Sequence, residues 1–176
     1  MVDNKISMPL GLGYDRKHDL LGVTDIARKT ALVYQLPEGE HKLTIGGRNG
    51  ILKNPTDIAF DPDRERIYVS DSKANTVHVF DFEGNKIMNI GGPGNLPGYL
   101  FSPTQLTVAE DGLIYIVETF NFRFQVFDPE GNSVAVVGKH GSMPGMFARP
   151  KGIAVDSEDH AYITDAAFGN FQVMDK

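Results

Sequence analysis

Histidine and carboxylate side chains are the groups in this sequence that could bind a metal ion or transfer protons. No two histidines have the H-x-x-H or H-E-x-x-H spacing that places two imidazoles on one zinc ion. The sequence has no cysteine, which excludes thiolate metal sites and cysteine nucleophiles. We therefore predict no catalytic residue, no metal site and no cofactor. The histidines fall at unrelated positions: His18, His41, His78, His140 and His160.

Carboxylates cluster in two turns, DPDRE and DSED. Neither turn has the D-x-D-x-D-G order of a calcium-binding loop. We interpret both as solvated turns, with cation binding as the minor alternative. The acidic residues concerned are Asp61, Asp63, Glu65, Asp156, Glu158 and Asp159.

Another acidic residue recurs at the end of a short apolar stretch, just before a turn. Asp25, Asp71 and Asp165 occupy this position, and Glu118 replaces aspartate in the third segment. A carboxylate placed there can accept hydrogen bonds from backbone N–H groups of the turn. Because the residue recurs in every segment, we predict a structural rather than a chemical role.

Four prolines mark an internal repeat that positions all these residues. Pro9, Pro55, Pro103 and Pro150 are separated by 46, 48 and 47 residues. In the second repeat the proline introduces four apolar phrases, TDIAFD, RIYVSD, TVHVFD and KIMNIGG. The fourth repeat has only three such phrases, KGIAVD, AYITD and NFQVMD. The sequence thus predicts three units of four strands and a last unit of three.

Four-stranded antiparallel units repeated every 40 to 50 residues or so are typical of β-propeller blades. Helical repeats of this length would show apolar residues three and four apart, a pattern that is absent here. The chain has 41% hydrophobic residues, 19 Gly and 10 Pro, enough for one core with many turns. We predict an all-β propeller formed by residues 1–176, with blades at approximately 9–47, 55–92, 103–138 and 150–176.

The repeats resemble the NHL family. The family pattern, G-x-F-x-x-P before a G-I-A-V-D strand and Y-V-[AS]-D before a V-F-D-x-x-G strand, is similar to GMFARPKGIAVD and IYIVETFNFRFQVFDPEG. DPDRERIYVSDSKANTVHVFDFEG gives a third match, and the resemblance covers residues 9–176. It implies propellers that usually close with six blades. On that basis we expect an incomplete segment of a six-bladed ring rather than a closed ring of four.

An incomplete ring predicts two uncovered apolar faces. We expect one on the first blade around Leu12, Val23 and Val33, and one on the last around Ile153, Ile163 and Phe171. Such faces favour self-association, or the borrowing of a final strand from a partner. Between blades, we predict packing by Tyr34, Phe80, Phe127 and Met174, and plugging of the core by Phe101 and Phe147.

Charge and apolar loops together indicate a partner surface. Loops that precede the prolines should emerge on one side of the propeller, where basic residues prevail, while the other side is strongly acidic. Aromatic, Leu and Met side chains ringed by Arg and Lys suit a protein or peptide partner. The alternative is that the apolar residues seal the blade junctions. The candidate partner-binding residues are Arg48, Lys53, Leu96, Tyr99, Leu100, Lys139, Met143, Met146 and Arg149.

These features favour a non-catalytic scaffold that binds a protein or peptide. The family resemblance implies two alternatives: a lyase- or lactonase-like propeller enzyme with a metal ion in the channel, and a single-stranded RNA-binding domain. Nucleic acid is disfavoured because the basic surplus on the loop side is small and no base-stacking motif accompanies it. No run of about 18 apolar residues predicts a membrane span. The sequence does not indicate the cellular compartment, which would be extracytoplasmic if a leader has been removed.

Overall fold

The computed structural model describes residues 6–175, and within them the chain forms fifteen β-strands and one 3₁₀ turn. Blade 1 comprises β1 (Pro9–Asp15), β2 (Leu20–Asp25), β3 (Thr30–Gln35) and β4 (Glu40–Gly46), followed by the 3₁₀ turn Gly47–Asn49. Blade 2 comprises β5 (Pro55–Asp61), β6 (Arg66–Asp71), β7 (Thr76–Asp81) and β8 (Lys86–Ile90). Blade 3 comprises β9 (Pro103–Val108), β10 (Ile114–Glu118), β11 (Arg123–Phe127) and β12 (Ser133–Val137). Blade 4 comprises β13 (Pro150–Val155), β14 (Ala161–Asp165) and β15 (Asn170–Met174).

Every blade is an antiparallel sheet whose strands pair in chain order. The inner strands β1, β5, β9 and β13 follow one another, each packed against the next, so that the four blades form a propeller. The predicted all-β propeller fold is therefore confirmed. Among residues 6–175, the sheet of blade 4 has three strands, whereas the other three sheets have four.

Successive blades pack face to face, and this packing explains the apolar strands. In β6, Ile67 and Val69 contact blade 1, whereas Tyr68 between them contacts blade 3. A strand covered on both faces is buried along its length, as the pattern of β6 shows. We call the side of a blade that meets the preceding blade its leading face, and the opposite side its trailing face.

In blades 2, 3 and 4, a fully buried residue three positions before the blade-starting proline plugs the junction with the preceding blade. These residues are Leu52, Leu100 and Phe147. Each plug lies beside a glycine with positive φ; at Gly91 (φ 75°), for example, an added Cβ would lie 2.6 Å from the Leu100 side chain. A glycine is therefore needed there, both for the backbone conformation and for the space.

The plug of the third repeat differs from the prediction. Phe147 is buried as predicted, but Phe101 is exposed and the adjacent Leu100 takes the buried position. Leu100 was also a candidate partner-binding residue, and its complete burial makes that assignment wrong. Side chains one residue apart in an extended segment point to opposite sides, so a shift of one residue exchanges the buried and exposed positions.

Of the four residues predicted to pack between blades, Phe80 and Phe127 are fully buried on leading faces. Met174 packs against the same type of cluster between blades 3 and 4. Tyr34 is buried too, on the leading face of blade 1 with Val23 and Leu32. The prediction is therefore correct at the blade junctions. Tyr34 occupies the equivalent position in blade 1, which has no preceding blade among the described residues.

The exposed faces at the two ends of the propeller differ in part from the prediction. Leu12 lies on the leading face of blade 1 and Phe171 on the trailing face of blade 4, and both are exposed as expected. Val33, however, packs on blade 2, and Ile153 and Ile163 pack on blade 3. Val23 lies on the leading face of blade 1 as expected, but it is buried in a cluster with Leu32 and Tyr34. The sequence shows that both faces of a blade are apolar, but it does not show which face meets which neighbour.

Candidate binding surface

The segments that join successive blades meet the turns between the second and third strands on one side of the propeller, which we call the loop face. Backbone hydrogen bonds connect the two sets of loops, from Ser72 N to Asn54 O at 3.2 Å and from Ala166 N to Arg149 O at 3.0 Å. All of the candidate partner-binding residues belong to the joining segments. The geometry of these segments therefore decides what the loop face can bind.

Buried carboxylates at the strand ends hold the joining segments in place. Asp165 accepts hydrogen bonds from the backbone N–H groups of Ala148 at 2.7 Å and Arg149 at 3.1 Å, and from that of Ala167 at 2.9 Å. Burial raises the pKa of the Asp165 carboxyl, but these hydrogen bonds outweigh it and the pKa is lowered overall. Asp25 accepts equivalent bonds from its own turn and from the segment before Pro9. The structural role predicted for these residues is confirmed.

Glu118 replaces this aspartate in blade 3 and forms a buried ion pair with Arg123, whose Nε lies 2.6 Å from Oε1. The guanidinium also donates to the backbone oxygens of Asn95 at 2.8 Å, Leu96 at 3.2 Å and Tyr99 at 3.1 Å. Five N–H donors in one plane let a single arginine satisfy a carboxylate and several carbonyls together. Arg123 thereby fixes the backbone of residues 91–102, the joining segment between blades 2 and 3.

A glutamine clamps each of the two long joining segments. Gln125 accepts from Gly98 N at 2.9 Å and donates to Tyr99 O at 2.7 Å. Gln172 makes the same pair of bonds to the next segment, with Gly145 N and Met146 O both at 2.8 Å. The segments 91–102 and 138–149 are thus held by buried or half-buried side chains of the blade that follows them.

Most of the candidate partner-binding residues lie on this face and are accessible. Met146 is only partly buried, and beside it Met143 and Phe168 line a groove of about 350 Å³. Leu100 is the exception described above. The exposed candidates are Arg48, Lys53, Leu96, Tyr99, Lys139, Met143 and Arg149.

Three exposed aromatic residues on the loop face, Phe101, Phe120 and Phe168, were not among the candidates. The rings of Phe101 and Phe120 lie 5.8 Å apart between centroids, and both are exposed. Asn121 holds the two segments together by donating from Nδ2 to Gly94 O at 3.1 Å. Phe120 occupies a turn position where the other repeats have Ala27, Lys73 and Ala167, and that difference is the signal in the sequence that points to it.

A cavity of about 750 Å³ lies along the inner strands and is bordered on the loop face by Ser72, Ser102 and Phe120. Its walls include residues from all four blades, several of which carry hydroxyl groups. Several wall hydroxyls already join neighbouring blades: Thr119 Oγ1, for example, donates to Pro150 O at 2.8 Å. The cavity is therefore lined by groups that serve the blade junctions first.

Two ionisable wall residues have shifted pKa values. Burial raises the pKa of the Asp57 carboxyl to about 7, although hydrogen bonds from the N–H groups of Leu106 and Ile58 oppose the rise. Burial, together with the nearby positive charge of Arg149, lowers the pKa of Lys151. Asp57 and Gln105 occupy equivalent positions, and each accepts from a backbone N–H of the next blade at 3.1 Å. The shift at Asp57 thus belongs to a group that connects two blades.

No group of three or more His, Asp or Glu side chains placed to hold a metal ion is found among residues 6–175. Over the same residues, no helix has the length and apolar character needed to cross a bilayer.

The chain is similar to known β-propellers, and part of it matches a named repeat. The NHL repeat, as a family pattern, matches residues 52–80, which run from the plug Leu52 through most of β7. Together with the four-bladed fold, this match supports an NHL-repeat propeller. NHL propellers generally mediate protein interactions. No curated protein sequence matches the chain.

Solved structures share the fold at low sequence identity. The Kuenenia stuttgartiensis hydrazine synthase is 14% identical with a TM-score of 0.70, over 99% of this chain and 51% of the other. A nidogen/laminin complex is 19% identical with a TM-score of 0.68, and the match covers 96% of this chain and 65% of the other. A structural genomics protein of unknown function from Bacteroides thetaiotaomicron is 19% identical with a TM-score of 0.72, over 94% and 47%. The chain spans about half to two thirds of the length of these chains, and the likeness concerns the fold.

Proposed function

We propose that this NHL-repeat propeller is a non-catalytic scaffold that binds a protein or peptide on its loop face. The observation that carries the proposal is that exposed apolar side chains project from a backbone fixed by buried polar residues. Leu96 and Tyr99 belong to the segment held by Arg123 and Gln125. A preorganised surface loses little conformational entropy on binding, so more of the contact energy appears as affinity.

The composition of the loop face supports a protein partner. Phe101, Phe120 and Tyr99 are aromatic residues of the kind that dominate binding energy at protein interfaces. Exposed basic residues in the other joining segments, including Lys53 and Arg149, suit a polar rim. The carboxylates of this face that could act in catalysis, such as Asp165 and Glu118, are instead occupied by donors that hold the loops.

The test is a selection of peptides from a random displayed library on the immobilised chain, followed by titration of synthetic peptides. We expect Phe120→Ala and Tyr99→Ala each to weaken the selected peptides by about 10-fold, the effect of losing one aromatic anchor. Ile87→Ala is the matched control, because Ile87 is an exposed apolar residue on β8, away from the joining segments. Peptides whose affinity falls with Ile87→Ala and is unchanged by both loop-face variants would contradict the proposal.

A further inference from the structure

The exposed charges of the loop face are all of one sign. Its loops are the three joining segments and the four turns between second and third strands, and together they contain seven Lys and Arg and no Asp or Glu. The strand-end carboxylates beneath them, Asp25, Asp71, Glu118 and Asp165, are at most 1% exposed. A ligand on these loops, all of which lie within the described residues, therefore meets basic side chains and no accessible carboxylate. The loops are residues 26–29, 47–54, 72–75, 91–102, 119–122, 138–149 and 166–169.

The opposite side of the propeller has the reverse composition. Its turns contain twelve Asp and Glu and only three Lys and Arg. Surface charge attracts ligands of opposite sign and repels ligands of the same sign, so this distribution directs an acidic ligand to the loop face. A basic ligand would be directed away from the exposed apolar loops. The turns are residues 16–19, 36–39, 62–65, 82–85, 109–113, 128–132 and 156–160.

An uncharged aromatic patch on blade 3 adjoins a basic turn of blade 2. The patch consists of Phe101 and Phe120, which belong to loops without any charged residue. Ser102, the residue after Phe101, donates from its backbone N–H to Asn75 Oδ1 at 2.8 Å. This hydrogen bond joins the patch to the turn of blade 2 that carries the exposed Lys73.

The other side of the patch adjoins a basic residue of blade 4. Thr119, the residue before Phe120, donates from Oγ1 to Pro150 O at 2.8 Å. The residue before Pro150 is the exposed Arg149. Along the ring the order is therefore a basic residue on blade 2, the aromatic patch on blade 3 and a basic residue on blade 4.

Neither of these two basic residues is needed by the blades. The equivalents of Lys73 in the other repeats are Ala27, Phe120 and Ala167, and those of Arg149 include Asn54 and Ser102. Over residues 6–175, neither Lys73 nor Arg149 takes part in an ion pair. Both charges thus remain available to a ligand.

We propose that the partner is an acidic peptide in which carboxylates lie on both sides of an apolar or aromatic residue. This inference rests on the proposed function and specifies the ligand of the same surface. The apolar residue packs on Phe101 and Phe120, and the flanking carboxylates pair with Lys73 on one side and Arg149 on the other. A carboxylate can bind the Arg149 guanidinium through two parallel hydrogen bonds. Exposed pairs add modest affinity each, but together they determine which peptides are accepted.

A short acidic peptide fits these charges better than a nucleic acid does. A nucleic-acid strand carries a phosphate at every nucleotide, and tight binding requires that many of them be neutralised. The seven basic residues of the loops are distributed over four blades, and the whole chain has a net charge of −6. A few carboxylates are matched by the cations present, whereas a phosphate backbone is not.

The test is to sequence the peptides selected from the random library and to measure their affinity by fluorescence anisotropy. We expect acidic residues on both sides of an apolar one, and an affinity at least about 10-fold weaker when all carboxylates of a selected peptide are replaced by amides. Lys73→Gln and Arg149→Gln should each weaken the acidic peptide by about 3- to 5-fold and leave the amide peptide unchanged. Arg16→Gln is the matched control, because it removes the same charge from an exposed position on the opposite side.

The outcomes separate this inference from the proposed function. Selected peptides that are neutral or basic but still depend on Phe120 would overturn the acidic ligand and leave the peptide-binding function intact. Peptides unaffected by both Phe120→Ala and Tyr99→Ala would overturn the two together. A single-stranded oligouridine that displaces the acidic peptide and binds more tightly would overturn the inference in favour of nucleic acid. An affinity loss for Arg16→Gln equal to that for Lys73→Gln would overturn the assignment of the charges.

Discussion

The buried carboxyl of Asp57 should make the protein less stable as the pH rises, contrary to the usual behaviour of aspartates in hydrogen-bonded turns. Asp57 is 4% exposed, and burial raises its pKa to about 7. An unfolded aspartate has a pKa of about 3.9. Below about pH 4 the group is protonated in both states, and as the pH rises to 7 the unfolded chain loses its proton first, which favours unfolding.

The magnitude follows from the difference between the two pKa values. About three pH units at about 1.4 kcal/mol per unit give an upper limit of roughly 4 kcal/mol, lost between about pH 4 and pH 7. In the unchanged chain, Leu106 N donates a hydrogen bond to Asp57 Oδ2 at 3.1 Å. Asp57→Asn removes the charge and keeps an oxygen that can accept this hydrogen bond. We expect the variant to match the unchanged chain near pH 4 and to be more stable by about 2–4 kcal/mol at pH 8.

Urea unfolding of both chains at intervals from pH 4 to pH 8 measures this difference directly. Asp165→Asn provides a contrast of opposite sign, because hydrogen bonds lower the pKa of Asp165 and its stabilising effect is lost as the pH falls. If the difference in free energy of unfolding between Asp57→Asn and the unchanged chain is constant from pH 4 to pH 8, Asp57 does not titrate as its burial implies.

Three further changes test the loops and junctions. Leu100→Ala should cost about 2–5 kcal/mol in thermal or urea unfolding because it empties a plug position, whereas Phe101→Ala at the exposed neighbour should cost less than about 1 kcal/mol; equal costs would contradict the assignment of the plug. Arg123→Met should leave Glu118 buried without its cation and speed hydrogen exchange in residues 91–102, and unchanged exchange there would show that Arg123 does not hold the segment. Asp165→Asn should weaken the protein by about 1–3 kcal/mol at pH 7 and by less at pH 3, and a loss that does not depend on pH would contradict the carboxylate's role.

Much of the fold could be predicted because the repeat fixes it. The four prolines locate the inner strands. The acidic residues at the strand ends locate the turns, because their carboxylates accept hydrogen bonds from the backbone N–H groups of those turns. The direction of each side chain was harder to predict. Counting back from Pro103 places Leu100 at the plug position. The prediction instead took Phe101 because it is aromatic, and the structure shows that Leu100 is the buried residue. Where two adjacent residues are both apolar, only the packing decides which is buried.

The candidate surface was predicted in part, for a related physical reason. The basic and apolar loop residues lie together because every joining segment ends at the same side of the blades. Phe120 was missed because it sits in a turn that the repeat assigns to small or polar residues. The environment of Asp57 could not be read from TDIAFD, since its burial depends on β9 of the next blade packing over it.

Photo-crosslinking tests the central claim, that partners bind the loop face, most directly. Replacing Phe120 with p-benzoylphenylalanine puts a reactive group beside Phe101, and the same replacement at Ile87 puts it on β8, outside the joining segments. With a selected peptide bound, we predict crosslinks from position 120 and none from position 87. Crosslinks from position 87 alone would contradict the account.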